Sequence, residues 1–255
     1  MRESDSATLM TEGSIWKKIT FFAVPIFLGN LFQQMYNTAD SLIVGNFLGS
    51  NALAAVSSSG NLIYLMIGFF NGIALGAGVV IARYFGARDQ ENVEKAVHTT
   101  VAFGIVASIV LTIVGVFFAP QILVWMQTPA NVMPESTEYF RVYFMGSAGF
   151  VMYNMFVGIL QAVGDSKHPL YYLILSSIIN VVLDIVFITV FDMGVGGAAF
   201  ATDISQVVSA VLCMIQLMRS KAEYRLNLRK IRFEWDIFKP VSYTHLRAHE
   251  TAANL

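Results

Sequence analysis

Charge is what this sequence has least of: 13% of its 255 residues are Asp, Glu, Lys or Arg, while 56% are hydrophobic, against roughly 25% charged residues in an ordinary soluble domain. A water-facing surface cannot be covered from that supply, which excludes a soluble globular protein. The 16 basic residues nearly balance the 17 acidic ones, so the chain has no electrostatic footprint for nucleic acid. A lone cysteine, Cys213, rules out an internal disulfide framework and a cysteine-based metal site. No cleavable leader is visible, because the chain is polar to about Lys18 and the first apolar run is too long for a leader core. Gly76, Ala77 and Gly78 do not make a phosphate-binding loop, since no strand precedes them and they lie inside an apolar run.

Long apolar runs are what the sequence does have. A helix crossing about 30 Å of hydrocarbon needs about 20 mostly apolar residues, and six segments qualify: 19–44, 54–82, 96–118, 138–162, 169–191 and 197–218. The fold class is therefore all-α, a polytopic six-helix membrane bundle. An even number of spans leaves both ends on one side, and the basic residues say which side, because Lys and Arg are retained in the cytoplasm. Arg2, Lys17 and Lys18, then Arg83, Arg88 and Lys95, then Lys167, then seven basic residues from Arg219 to Lys239 fall on one side; the alternate connections have none. Only Arg141 departs from the pattern, so both termini are expected in the cytoplasm. The expected organisation is a cytoplasmic segment 1–18, the bundle 19–218 and a basic cytoplasmic linker 219–240. Residues 241–255, VSYTHLRAHETAANL, resemble translated adaptor sequence and are read as a non-native tail, so the helical spacing of His245, His249 and Glu250 is not taken for a metal site.

Within the spans, Gly68, Gly72 and Gly76 recur every four residues, an expected close-packing face. Pro25 removes a backbone donor in the first span and should allow a kink. Ionisable groups inside a bilayer are costly and are functional candidates by default. The first span presents Asn30, Gln33, Asn37 and Asp40 on one stripe, the fifth Ser176, Asn180 and Asp184, and the sixth Thr202, Gln206 and Ser209; the fourth contributes Asn154. At about 1.5 Å of rise per residue, Asp40, Asp184 and Thr202 all fall in the outer half of the bilayer. Two carboxylates, an amide and a hydroxyl at one depth suit a hard monovalent cation or a shared proton, because oxygen ligands replace hydration. Structural hydrogen bonding between helices is the competing account, and it is the better one for Asn30, Gln33, Ser176 and Ser209. It fits Asp40 and Asp184 less well, since no Lys or Arg inside a span can pair with them. Asp203 points about 100° away from Thr202 on an ideal helix and is expected to face the outer mouth.

These residues resemble the multidrug and toxic compound extrusion (MATE) family. The resemblance covers about residues 10–240 and rests on AVP in the first span, ADSLIVGNFLGSNALAAV, GAGVVIARYFGARD, GILQAVGDSKHP, and NVVLD followed by GVGGAAFATDISQ. It implies one six-helix lobe of a twelve-helix transporter of two pseudo-symmetric lobes, with the C-terminal lobe missing and the segment 219–240 as the inter-lobe linker. It also implies export of organic cations and other drug-like molecules across a bacterial cytoplasmic membrane, against a Na+ or H+ gradient, with no cofactor and no catalytic residue. The family's cation site maps to Asp40, Asn180, Asp184 and Thr202, with Asn154 as a further member, and its first-helix bend maps to Pro25. A single lobe has half of the central cavity and half of the alternating-access machinery, so the chain is expected to bind a cation without transporting it.

Three other readings compete. A lipid-linked oligosaccharide flippase would line its cavity with Arg and Lys, and here only Arg141 approaches a span. An intramembrane aspartyl protease needs Gly-x-Gly-Asp within a helix; the nearest run, Ala162 to Asp165, lacks the first glycine and lies at a connection. A passive channel or structural subunit built from two six-helix chains is the third.

Overall fold

The computed structural model describes residues 14–239; the proposed tail at 241–255, with His245, His249 and Glu250, and most of the segment 1–18 lie outside them. Seven α-helices follow one another: α1 Ile15–Leu48, α2 Ser50–Gly86, α3 Gln90–Trp125, α4 Met133–Met145, α5 Ser147–Ala162, α6 Lys167–Thr189 and α7 Gly194–Arg219, then a 3-10 turn at Leu228–Lys230. Five are each long and apolar enough to cross a membrane, and α4 with α5 makes a sixth span bent by 49°. The all-α, six-span expectation is met, with one element changed.

That element is the fourth span, expected as one helix over 138–162. It breaks at Gly146, where the Asp203 carboxyl of α7 lies against the backbone and a Cβ would overlap it. The helical bond from Gly146 N–H to the Val142 carbonyl is stretched to 3.4 Å, and Gly149 N–H closes a tighter turn onto the Gly146 carbonyl at 2.9 Å. Asp203 therefore faces the α4–α5 break rather than the outer mouth.

The first three helices also run past their expected ends. Gly49 alone separates α1 from α2, at φ +89°, a left-handed conformation that a side chain would strain. Through Pro25, α1 continues unbroken, with the Phe21 carbonyl deprived of its usual donor. The inner helix is α7, which packs on α4, α5 and α6. By contrast only 6% of the apolar window of α1 is buried, against 56% of that of α7. One side of α1, including Phe21, Phe27, Leu31 and Met35, is bare.

Of the expected glycine stripe on α2, Gly68 meets no neighbouring helix closely. Gly68 is exposed, and a Cβ on it meets no atom within 4 Å, while Gly72 is half-buried and Gly76 buried. A tight crossing lies at Ala74 and Gly78, where a Cβ on Gly158 of α5 would come within 2.7 Å of the Ala74 carbonyl and one on Gly78 within 3.2 Å of the Gly158 carbonyl. Spacing marks a small-residue face, but which turn of it meets a neighbour depends on the crossing point.

The basic segment after α7 is not a loose connection. It folds back along α3: Leu226 and Ile237 are buried, Phe238 stacks on Phe103 at 5.1 Å, and Lys230 pairs with Glu94 at 2.6 Å, which holds the Glu94 carboxyl below its ordinary range. His98, buried on α3, bonds the Glu94 carbonyl through Nδ1 at 2.7 Å and accepts the Asn227 N–H at Nε2 at 3.1 Å. The two basic regions expected on one side of the membrane thus touch at one end of the bundle.

Two outcomes follow. Gly158→Val should force α2 from α5 at a cost of about 1–3 kcal/mol, read as a lowered unfolding temperature in detergent, with Gly68→Ala unchanged. His98→Ala should release the segment at a cost of about 1–2 kcal/mol, read as faster tryptic cleavage at Arg225 and Arg229.

Candidate ion-binding site

Three helices meet where the sequence puts its polar stripes. The last turns of α1 carry Asp40, α6 carries Asn180 and Asp184 one turn apart, and α7 carries Thr202; α6 packs against both of the others. Asn180 and Asp184 are 0% exposed and Asp40 and Thr202 are buried. Asn180 Nδ2 donates to Thr202 Oγ1 at 3.3 Å, joining α6 to α7. The Asp40 and Asp184 carboxyls lie close enough to act on each other electrostatically.

Asp40 Oδ1, Asp184 Oδ1 and Oδ2, and Asn180 Oδ1 are buried acceptors without a donor. Ionised carboxylates only accept, so two of them side by side cannot satisfy one another. Leaving such groups bare costs roughly 1–3 kcal/mol each, and more when charged. No Lys, Arg or His among the described residues acts on either carboxyl; the ion pairs found, such as Lys95–Glu91 and Lys230–Glu94, are far from it in the water-facing segments. The donor set is all oxygen, which suits a hard cation or a proton and not a soft metal.

Asp40, Asn180, Asp184 and Thr202, four of the expected site residues, are thus assembled, and Asn154 is not with them. Its Nδ2 donates to the Phe150 carbonyl of its own helix at 2.8 Å, and it lines a separate cavity of about 300 Å³ with Pro25, Asn30, Gln33, Asn71 and Gln161. Hydrogen bonding within α5 and a different facing direction remove it from the acid pair.

The sequence reading missed the tyrosines. Tyr36 lies one turn before Asp40 on the same stripe, and its hydroxyl accepts from Gln206 Nε2 at 3.3 Å. Tyr139 of α4 is buried and stacks on Tyr143 at 6.2 Å, within electrostatic reach of Asp40 and Asp184. Counted as aromatic, such residues pass as membrane lining; the spacing of Tyr36 from Gln33 and Asp40 was the available signal.

The MatE family model matches residues 25–186. Two Bacillus subtilis proteins, the probable multidrug resistance proteins YoeA and YpnP, are 34% and 30% identical over 212 and 211 residues, which cover 82% and 83% of this chain but 46% and 47% of theirs. The chain thus spans about half the length of the curated relatives it matches. A crystal structure of MATE in the bent conformation matches with a TM-score of 0.87 at 27% identity, over 96% of this chain and 55% of that one. Another, of a MOP superfamily transporter from Pyrococcus furiosus, matches with a TM-score of 0.85 at 28% identity, over 96% and 54%. With the family model covering more than half of its residues, and with six spans arranged as in the N-terminal half of the solved relatives, this chain belongs to the MatE family of multidrug and toxic compound extrusion transporters.

Proposed function

We propose that this chain is the ion-coupling lobe of a multidrug antiporter, in which Na+ or H+ binds at Asp40, Asp184, Asn180 and Thr202 and drives export of drug-like organic cations. The supporting observation is the group of buried oxygens without donors around two carboxylates that no basic side chain neutralises. A cation or proton satisfies them, and its departure leaves like charges facing each other in a low-dielectric interior, which favours a rearranged packing of α1 against α6. The coupling ion is cargo here and not a resident cofactor.

Transport needs a second lobe. The bare side of α1 fits that requirement, since it offers a long apolar surface where a partner lobe would close a central cavity. The 300 Å³ cavity, lined by five amide side chains and no Lys or Arg, suits an organic cation better than the pyrophosphate of a lipid-linked sugar, which favours the exporter over the flippase. Positive residues at the end shared by α3 and the segment after α7 favour a cytoplasmic location for that end, with the chain multi-pass in a bacterial cytoplasmic membrane.

In the form joined to a second lobe, Asp184→Asn should abolish gradient-driven efflux; wild-type drug resistance at equal expression would contradict the site. Dye uptake into inverted vesicles under a sodium-only or a proton-only gradient should occur under one of them and fall at least about tenfold, or about 1.4 kcal/mol, in Asp40→Asn.

A further inference from the structure

The segment after α7 and the start of α3 enclose a pocket of about 430 Å³ that belongs to no part of the site above, lined by Glu91, Glu94, Lys95, Arg229, Lys230 and Arg232. Its charges do not cancel. Lys95 pairs with Glu91 at 2.5 Å, Lys230 with Glu94 at 2.6 Å, and Arg232 with Glu234 at 2.7 Å. Among the described residues no carboxylate pairs with Arg229, which is exposed. His98 uses both ring nitrogens on backbone groups. Four basic groups against three acidic ones leave one positive charge. Two of the four are guanidinium groups, which hold a phosphate through two parallel donors.

From this pocket the segment climbs α3 towards its apolar part. Asn227 meets His98, the Glu234 N–H donates to Thr99 Oγ1 at 3.3 Å, and Phe238 stacks on Phe103. Phe103 lies about 14 Å beyond Glu94 along the helix. Trp235 stacks parallel on Phe238 at 5.6 Å, and Phe233 lies 5.5 Å from Trp235. Phe233 and Trp235 are 45% and 61% exposed. Beyond Phe103 the same face of α3 continues as Val106, Val110 and Ile113, all exposed, a surface that meets hydrocarbon in a membrane. The aromatic group is therefore continuous with a lipid-facing stripe and has the basic pocket at its polar end.

We propose that the groove between α3 and the segment after α7 is a binding site for an anionic phospholipid of the phosphatidylglycerol type. Its phosphate sits at Arg229 and Arg232, and an acyl chain runs along Phe233, Trp235 and Phe103. A single phosphodiester charge matches the single positive charge left over. A zwitterionic head brings its own cation, for which the pocket has no unpaired carboxylate. The lipid holds the segment against α3 from outside, as His98 does from within. The site requires the six spans but not the antiport reading, and its test reads binding without transport.

The test uses the whole chain in lipid vesicles with Trp16→Phe and Trp125→Phe, both at exposed positions, so that Trp235 is the sole tryptophan. Its fluorescence is quenched by brominated phosphatidylglycerol or brominated phosphatidylcholine, each added as a minor component. The brominated phosphatidylglycerol is expected to bind at least about fivefold more tightly, the share of one Lys or Arg at an anionic surface. Arg229→Gln with Arg232→Gln, both exposed, should remove that preference. Lys167→Gln, which deletes an exposed charge at the α5–α6 connection, should keep it, and so should millimolar inorganic phosphate. The comparison of the two lipids needs neither arginine variant to fold. Equal quenching by both lipids, or quenching by neither because protein covers the rings, would overturn the proposal. So would a preference that survives loss of both arginines, falls with Lys167→Gln or is abolished by inorganic phosphate.

Discussion

Two carboxyls, Asp40 on α1 and Asp184 on α6, share a buried interior in which no positive side chain among the described residues answers them. Much of the rest can be understood as what this costs and how it is contained. Asn180 and Thr202 tie α6 to α7 beside the pair, and Gln206 and Tyr36 tie α7 to α1. The remaining acceptors are left bare. A soluble protein would neutralise such a pair with a lysine or with water. A cation or a proton from outside the chain would satisfy those acceptors, and the proposed ion site rests on that.

The scaffold around it is asymmetric in a way that serves this. Buried through much of its length, α7 carries three of the residues that cross-link the bundle, Thr202, Asp203 and Gln206. Meanwhile α1 is held mainly along one side and is free along the other. Helix α1 therefore combines half of the acid pair with a long uncovered apolar surface and with Pro25, where a helical hydrogen bond is missing. A change in charge at Asp40 acts on the helix with the least packing to resist it.

Spans, polar stripes and the two acids were legible in the sequence because each follows from a strong local rule: hydrocarbon thickness, the 3.6-residue period and the cost of burying charge. What could not be read depended on a partner from elsewhere in the chain. The break at Gly146 faces Asp203, fifty-seven positions later in the sequence, and the inward role of Tyr36 needs Gln206. Asn154 shares composition with the site but bonds to its own helix, and Gly68 shares spacing with the close crossing but lies off it. The segment after α7 has the charge of a free linker, yet Leu226, Ile237 and Phe238 dock it onto α3.

The account stands or falls on whether Asp40 and Asp184 exchange a proton or ion as one unit. Isotope-edited infrared difference spectra of the chain in lipid, recorded between acidic and alkaline solution, test this directly. The account predicts a carboxylic-acid carbonyl band that titrates in the wild type, changes in Asp40→Asn and Asp184→Asn alike, and is absent from the double variant. An identical titrating band in the double variant, or independent behaviour of the two single variants, would contradict it.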